Sequence, residues 1–349
     1  MAINDPDICI AEAEQFIDGQ AARGNADKFL KKTQNLKCVE LVIDPLKAGW
    51  NTPILDHHFR SGNAPIMAIE SAVDLLRNQS VDVVVITGED NLRSDYSSEE
   101  RHKMMDIYHG ISVPEAYTQL AKKWCELRGL SEQTFILLAE ALFENYYKAS
   151  LKKQIDKAID QKWFQFITDL FRGVDCANPV VDYFGKLVLT RRDIFEKYYP
   201  GTDPILIKGV ATAKTKESDL SALNEVAKYE HLKVAYEKAL QQSGVDFLTL
   251  YKNGKALLEV YTCFPIVPLA FLFSTGFFRS VEEAKKIIQH YPVTITGGMN
   301  LAKAPWNNPA LRATIEMYFE LLDNDNVSIG AIHGNGGLGE KQGFLILGK

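Results

Sequence analysis

The sequence predicts an α/β fold made of two similar halves, with a helical region inserted into the first. In the first half, the apolar runs "CVELVIDPL" and "VDVVVITGED" flank "SGNAPIMAIESAVDLLRNQ", whose apolar residues recur every three or four positions. Strand, helix and strand in that order predict a parallel βαβ unit. Strands and helices alternate again towards the C-terminus, which predicts a second half with the same plan.

The elements follow in chain order from the N-terminus. The opening "AEAEQFIDGQAARG" has helical periodicity, and the preceding "DICI" is a poor strand. Residues from 91 to about 166 are polar and helical, and Ser131 is the expected cap of one of their helices. We therefore predict a first half at residues 1–195, with its insertion at about 91–166, and a second half at residues 196–349.

The later elements are predicted from local patterns. Strands are expected at "KLVLTRRDIF", "DPILIKGVATA" and "ALLEVYTCF", and a helix at "YEHLKVAYEKALQQSG". Two glycine-rich turns follow, in "YPVTITGGMNLAKAPWNNP" and "VSIGAIHGNGG", and one amphipathic helix separates them. Such turns let backbone N–H groups approach a carbonyl oxygen closely. This pattern indicates acyl-group chemistry.

Composition excludes several classes of protein. The chain has 349 residues, 46% of them hydrophobic and 24% charged, which is typical of a globular protein that buries a core. A net charge of -6 argues against nucleic acid as a partner. Five scattered cysteines predict neither a disulfide framework nor a zinc site, and no apolar run reaches membrane-spanning length. We expect a cytoplasmic protein without a bound metal.

Five pieces of the sequence, in order, resemble the thiolase superfamily, and more closely its sterol-carrier-type, thiolase-like branch. They are "SGNAPIMAIESAVDLLRNQSVDVVVITGED", "VDCANPVVDYFGKLVLT", "EVYTCFP", "TITGGMNLAKAPWNNP" and "HGNGG". The resemblance implies a thiolase fold, in which two similar βαβ halves pack in five layers with an inserted helical loop region. It also implies a homodimer and a slot for an acyl-CoA, with coenzyme A entering only as part of the substrate and no other cofactor.

The same resemblance shows where this chain departs from the family. Phe59 or Arg60 stands near the place of the nucleophilic cysteine, so no acyl-cysteine is expected there. Tyr261 and Ala304 replace two residues of the family's catalytic motifs, and His333 replaces the second cysteine. The family's opening strand is also missing from the predicted elements. A small OB-fold acyl-CoA-binding partner, known among relatives of this branch, is one way to cover such a gap.

Two side chains are the candidates for proton transfer. His333 has small neighbours in the sequence and an ordinary pKa near ~6.5, so it suits an acid/base role. Tyr261 is the candidate for a second proton. The alternative is that His333 is a packed or surface residue and Tyr261 a buried, hydrogen-bonded phenol. The oxyanion and substrate-binding candidates are Gly62, Asn63, Gly298, Asn335, Gly336 and Gly337.

Three functions remain open at this stage. The first is an enzyme that makes or breaks a carbon–carbon bond in an acyl-CoA without a covalent intermediate. The second is a binding or scaffold subunit of an acyl-CoA-handling complex. The third is an acyltransferase that uses an unexpected nucleophile such as Cys263. By the same resemblance, basic residues of the insertion are candidates for contact with coenzyme A phosphates, although the expected role of most is a solvated helix face. They are Arg93, Arg101, Lys103, Lys122, Lys123 and Arg128.

Overall fold

The computed structural model describes residues 6–108, 110–155 and 159–349. Within these ranges the strands are β1 (Ile8–Ile17), β2 (Arg23–Gly24), β3 (Cys38–Ile43), β4 (His58–Phe59), β5 (Val83–Asn91), β6 (Asp182–Arg191), β7 (Ile205–Lys214), β8 (Ala256–Glu259), β9 (Ile329–Gly336) and β10 (Lys341–Gly348). The helices are α1 (Asp27–Lys32), α2 (Ala64–Arg77), α3 (Ser98–Met105), α4 (Val113–Arg128), α5 (Glu132–Lys152), α6 (Arg192–Tyr198), α7 (Leu223–Val226), α8 (Glu230–Ser243), α9 (Phe247–Lys252), α10 (Ile266–Ser274), α11 (Val281–His290), α12 (Gly298–Leu301) and α13 (Pro309–Asp323).

One pattern of strand pairing occurs twice in the sheet. The strand order is β4-β3-β5-β6-β1-β7-β10-β9-β8, and β2 pairs with β1. In the first half β3 is parallel to β5, and β5, β6 and β1 follow as antiparallel neighbours. In the second half β8 is parallel to β9, and β9, β10 and β7 repeat that arrangement. The two half-sheets meet where β1 pairs with the start of β7.

The half-sheets enclose two central helices and carry further helices outside. Helices α2 and α13 contact each other and strands of both halves, and their apolar side chains form one buried cluster with both half-sheets. Helices α1 and α6 cover the outer face of the first half-sheet, while α8, α9 and α10 cover that of the second. The result is a five-layered α/β/α/β/α arrangement, as the sequence predicts.

Two asparagines mark the internal symmetry of these layers. Asn63 and Asn308 are the N-cap residues of α2 and α13, and both are buried. A Cβ atom at Gly334 would lie 2.4 Å from Oδ1 of Asn63, and one at Gly88 would lie 1.8 Å from Oδ1 of Asn308. Each central helix therefore begins against a strand of the opposite half-sheet that must carry glycine at the contact.

The N-terminal prediction is wrong, because the segment predicted as a helix is strand β1. Its helical appearance came from Glu12 and Glu14, which alternate with the buried Ala11 and Ala13 at the period of a strand. The two carboxylates are half-buried and hydrogen-bonded, Glu12 to the Tyr199 hydroxyl at 2.7 Å and Glu14 to a backbone N–H at 3.1 Å. Strand β1 fills the expected gap, so no strand edge is left open there.

The other elements lie close to their predicted positions, with two shorter strands. Strand β6 ends at Arg191, and "RDIF" belongs to α6; β8 ends at Glu259, so the segment around Tyr261 is not a strand. The insertion is helical as predicted, and Oγ of Ser131 caps α5 by accepting a hydrogen bond from the Thr134 N–H at 3.1 Å. No helix among the described residues is long and apolar enough to span a bilayer.

Candidate functional site

A cleft of about 1600 Å³ lies between the helical insertion and the ends of the central elements. Its lining comes from the α3–α4 region and from residues within 153–155 and 159–180 on one side. The other side comes from the segments around Gly62, Tyr261, 296–307 and Asn335. A cleft of this size accommodates a large ligand.

Three predicted residues meet at the floor of the cleft. Gly62 precedes α2, Tyr261 follows β8, and Asn335 lies near the end of β9. A Cβ atom at Gly62 would lie 2.0 Å from the hydroxyl of Tyr261 and 2.4 Å from the carbonyl oxygen of Asn335. Only glycine fits between them. The sequence prediction that these three residues share one site is consistent with this geometry.

A buried polar network supports Asn335 from behind. Nε2 of His333 lies 2.7 Å from Oε1 of Gln342. The amide N–H groups of Gln342 donate to Oδ1 of Asn335 at 2.7 Å and to the carbonyl of Gly339 at 2.8 Å. Nδ2 of Asn335 in turn donates to the hydroxyl of Tyr117 at 3.1 Å. The network connects a strand interior to the surface of the cleft.

Tyr117 comes from helix α4 of the insertion and completes the floor. Its hydroxyl donates to the carbonyl of Gly337 at 2.6 Å, and its ring stacks on Phe264 with centroids 4.3 Å apart. Burial raises the pKa of both Tyr117 and Tyr261 well above the ordinary value. Both phenols therefore keep their protons at neutral pH and act as hydrogen-bond donors.

His333 does not lie where the sequence suggests. It is part of strand β9, is only 1% exposed, and stacks on Phe271 with centroids 4.6 Å apart, so the expectation of an accessible loop histidine is wrong. The neighbouring Gly334 packs closely against Asn63, the N-cap residue of α2. The small neighbours of His333 therefore serve close packing and do not make the imidazole accessible. Burial lowers the pKa of His333 to about 4, which keeps the ring neutral.

The remaining predicted residues divide between the cleft and the layers behind it. Gly337 lines the cleft with Gly62, Tyr261 and Asn335. Gly336 packs against Ser61, and Asn63 faces the second half-sheet. Gly298 has a φ of +79° and packs near Tyr146 and Thr262. Gly336, Asn63 and Gly298 are thus packed beneath the residues that line the cleft and do not line it themselves.

The position expected for a nucleophile has a structural role. Arg60 is buried, and its Nε and Nη2 atoms donate to Oδ2 of Asp44 at 2.9 Å and 2.7 Å. Nη1 of Arg60 donates to the carbonyls of Gly49 at 2.5 Å and Thr52 at 2.8 Å. Asp44 also bonds Nδ1 of His58 at 2.7 Å. This cluster orders the loop that brings Trp50 to the cleft.

Two cysteines line the cleft, Cys176 and Cys263. Burial raises the pKa of the Cys263 thiol to about 12, and it raises that of Cys176 well above its ordinary value. Since the thiolate is the nucleophilic form, neither sulfur is activated for attack.

The basic residues of the insertion are mostly engaged within the protein. Lys122 pairs with Asp169, Lys123 lies 2.9 Å from Glu126, and Arg128 stacks over the ring of Trp124 at 4.7 Å. Arg93 and Arg101 do line the cleft, and Lys103 is exposed on α3. Arg93 is 3.7 Å from Asp18, and Nη1 of Arg101 donates to the carbonyl of Leu92 at 2.9 Å.

Sequence reasoning missed Tyr117, Gln342 and Arg312. Tyr117 lies more than two hundred positions before its hydrogen-bond partners, so no local pattern connects them. Gln342 carried a usable signal, because an amide stands in β10 two residues before the apolar run "FLILG". Arg312 carried a similar one, as a cation on the buried face of α13.

Comparison with solved structures shows that the fold is similar to those of thiolases and thiolase-like proteins. A monomeric SCP2-thiolase like protein type 1 from Mycobacterium smegmatis is 18% identical, with a TM-score of 0.71 over 99% of this chain and 78% of that one. An Ltp2-ChsH2(DUF35) aldolase is 16% identical, with a TM-score of 0.66 over 98% and 97%. The Acat5 thiolase from Ascaris suum in complex with coenzyme A is 13% identical, with a TM-score of 0.63 over 98% and 100%.

The sequence matches no protein-family model and no curated protein. The structural likeness nevertheless extends over nearly the whole chain, and the pairing pattern repeats in both halves. The chain therefore has the thiolase fold, with SCP2-thiolase-like proteins among its structural neighbours.

Proposed function

We propose that this chain binds acyl-CoA thioesters in the cleft and makes or breaks a carbon–carbon bond without a covalent acyl-enzyme. The observation that carries the proposal is the floor of the cleft, where the Tyr261 hydroxyl lies against Gly62 beside Asn335. Both cleft thiols are protonated at neutral pH, so a covalent route has no activated nucleophile.

The proposed chemistry uses hydrogen-bond donors. Cleavage of a β-hydroxyacyl thioester of the retro-aldol type moves the electron pair of the broken bond onto the thioester, which becomes an enolate. Its oxygen gains negative charge, and preorganised donors stabilise that charge strongly in a site shielded from water. Tyr261 is the proposed donor to this oxygen. The β-hydroxyl group loses its proton as its carbon becomes the carbonyl of the released product, and the enolate carbon gains one. In the proposed relay the Tyr261 hydroxyl passes its own proton to the enolate carbon and takes up the proton of the β-hydroxyl, so the phenol ends protonated. Asn335, held by the Gln342 amide, orients the floor.

A non-catalytic binding subunit is the second candidate function. The floor presents phenols and thiols that keep their protons, so it supplies donors but no ready proton acceptor among the residues described there. Such a floor suits recognition of a thioester carbonyl even without turnover.

The assembly of the chain is also a proposal. We propose a homodimer formed through the β3–β4 edge of the sheet, where Ile54 and Leu55 are 52% and 67% exposed. A small OB-fold partner remains a second proposal. Strand β1 already fills the gap that such a partner was expected to cover. The support for the OB-fold partner is therefore the Ltp2-ChsH2(DUF35) aldolase among the structural neighbours. Light scattering of the purified chain measures the first assembly directly.

One experiment separates the functions. The wild-type protein is incubated with short and long acyl-CoAs and β-hydroxyacyl-CoAs, and binding, intact mass and released aldehyde or ketone are measured. Carbonyl release that Tyr261→Phe abolishes supports the enzyme. Binding with neither release nor adduct supports the binding subunit. An acyl adduct that Cys263→Ser removes would refute both.

Tyr146→Phe is the matched control for Tyr261→Phe. Its hydroxyl is buried, has no hydrogen-bond partner in the part of the chain that the structure describes, and lies outside the lining of the cleft. Equal loss of activity in both variants would show that the effect comes from packing.

A further inference from the structure

We propose that Arg312 forms an anion-recognising subsite in this cleft, which binds a carboxylate or phosphate group of the ligand. The inference rests on the proposed function only in that the ligand occupies the same cleft. Arg312 lies in the second turn of α13 and lines the cleft, although the residue as a whole is only 9% exposed.

The guanidinium of Arg312 is held in place by backbone carbonyls. Nη1 donates to the carbonyl of Ala302 and, at 2.8 Å, to that of Lys303, while Nε has no hydrogen-bond partner among the described residues. Within the same residues, Arg312 forms no direct ion pair with a carboxylate. Carbonyl oxygens therefore orient the group, and carboxylates act on its positive charge only from a longer distance.

An unpaired buried charge is costly, and arginine cannot lose its proton to avoid that cost. Three carboxylates act electrostatically on Arg312, namely Glu316, Glu259 and Asp18, and each already has closer partners. Glu259 accepts hydrogen bonds from the backbone N–H groups of Ile295 at 2.6 Å and Thr296 at 3.1 Å and from the Thr296 hydroxyl at 2.6 Å.

Glu316, one turn further along α13, accepts from Nη1 of Arg23 at 2.7 Å and lies 3.9 Å from Nζ of Lys153. Asp18 pairs with Lys303 and lies 3.7 Å from Arg93. The neighbouring cations thus have direct carboxylate partners, whereas the carboxylates that act on Arg312 do so from a longer distance. In the proposal, an anionic group of the ligand supplies the direct partner.

The charge of the whole cleft favours the same kind of ligand. The chain carries a net charge of -6, yet cations outnumber carboxylates in the lining. The cationic residues are Arg23, Arg93, Arg101, Lys153, Lys303 and Arg312, and the acidic ones are Asp18, Asp106 and Glu316. A positive cleft in a negative protein concentrates anionic ligands. Because guanidinium is planar and forked, it suits the paired oxygens of a carboxylate or phosphate.

Two sources of such an anion are chemically equivalent at this site, namely a terminal carboxylate on the acyl chain and a phosphate of coenzyme A. Calorimetry with butyryl-CoA, succinyl-CoA and butyryl-pantetheine distinguishes them, in the wild type, Arg312→Gln and Arg312→Lys. If the source is the acyl carboxylate, Arg312→Gln weakens succinyl-CoA at least about tenfold and leaves butyryl-CoA unchanged. If it is a phosphate, both CoA esters weaken and butyryl-pantetheine does not.

Arg312→Lys keeps the charge without the fork, and we expect an intermediate loss. The matched control is Arg192→Gln, which removes a cation outside the cleft that has a carboxylate partner, and we expect less than about a twofold change. Changes below twofold for all three ligands in a folded Arg312→Gln variant would overturn the proposal.

Melting temperatures of the wild type with simple anions test the subsite even if no thioester binds or Arg312→Gln does not fold. Succinate or inorganic phosphate is expected to raise the melting temperature more than chloride at equal ionic strength, and Arg312→Gln to abolish the difference. If no thioester binds the wild type, the proposed function fails while this anion effect still supports the subsite. Equal stabilisation by all three anions would overturn the subsite even if Arg312→Gln does not fold.

Discussion

Nε2 of His333 donates a hydrogen bond to Oε1 of Gln342, 2.7 Å away. The direction is set because burial keeps the ring neutral and an amide oxygen only accepts. The amide nitrogen of Gln342 must then face Oδ1 of Asn335, which leaves Nδ2 of Asn335 to point to Tyr117. The tautomer of a buried histidine thus determines which atom Asn335 presents at the cleft.

Gln342→Leu tests how much this hydrogen-bond network contributes to the free energy of unfolding. The substitution leaves two buried groups without their partners, on His333 and Asn335, and removes one of the two partners of the Gly339 carbonyl, so we expect a loss of about 2–4 kcal/mol in the free energy of unfolding. Urea denaturation measures it. Gln241→Leu, at an exposed position on α8, is the control and should stay within about 0.5 kcal/mol. A loss below about 1 kcal/mol for Gln342→Leu would refute the network as a stabilising unit.

His333 should also make stability depend on pH. Burial lowers its folded pKa to about 4, whereas the unfolded value is near ~6.5. Between these values the unfolded chain binds a proton that the folded chain does not, so stability is fully present above pH ~6.5 and falls as the pH drops towards about 4. Urea unfolding at pH 7.5, 6 and 5 should show a smaller decline for His333→Gln than for the wild type. His290→Gln, at an exposed histidine, should keep the wild-type slope.

These residues also show what the sequence could predict. Helices α2, α8 and α13 and strand β5 have a strong period or a strong apolar run, and local pattern was sufficient to predict them. The string "HGNGG" was interpreted as a loop because glycines usually mark turns. Here Gly334 serves the close approach of a neighbouring helix cap, a reason that only the tertiary contact reveals.

Arg60 should be important for folding despite standing where a nucleophile was expected. Arg60→Met leaves Asp44 buried with only His58 beside it, and we expect a loss of about 3–5 kcal/mol in unfolding free energy. Arg192→Met, which removes an exposed pair with Glu196, is expected to cost less than about 1 kcal/mol. Equal losses would mean that the Asp44–Arg60 pair is no more than a surface contact.

The cysteines should react with an aromatic disulfide reagent in an order set by burial. Cys38 is exposed, whereas Cys9, Cys125 and Cys263 are buried and Cys176 is partly buried. Burial raises the pKa of Cys125 and Cys263 to about 12, so very little thiolate forms at pH 8. We expect one fast thiol in the native protein and five after denaturation, with Cys38→Ser removing the fast phase. Labelling of Cys263 as fast as Cys38 would reveal an activated sulfur in the cleft.

Gly62→Ala tests whether the ligand binds at the floor of the cleft, by adding a methyl group there without removing any polar group. The new methyl group would lie 2.0 Å from the Tyr261 hydroxyl and 2.4 Å from the carbonyl oxygen of Asn335. The tyrosine can turn away, but the carbonyl is part of strand β9 and cannot, so the clash with the backbone remains whatever position the Tyr261 side chain takes. We expect acyl-CoA binding to weaken at least about tenfold by calorimetry, with a stability loss of about 2–3 kcal/mol.

Gly19→Ala separates this steric effect from the cost of replacing glycine itself. Gly19 has a φ of +72° and open space around its Cα, so alanine there should cost about 1 kcal/mol through backbone strain, with ligand affinity unchanged. Unchanged affinity in Gly62→Ala as well would show that the thioester carbonyl binds elsewhere in the cleft. Because the clash involves backbone rather than a catalytic proton, the result reports on the position of the ligand even if the protein has no enzymatic activity.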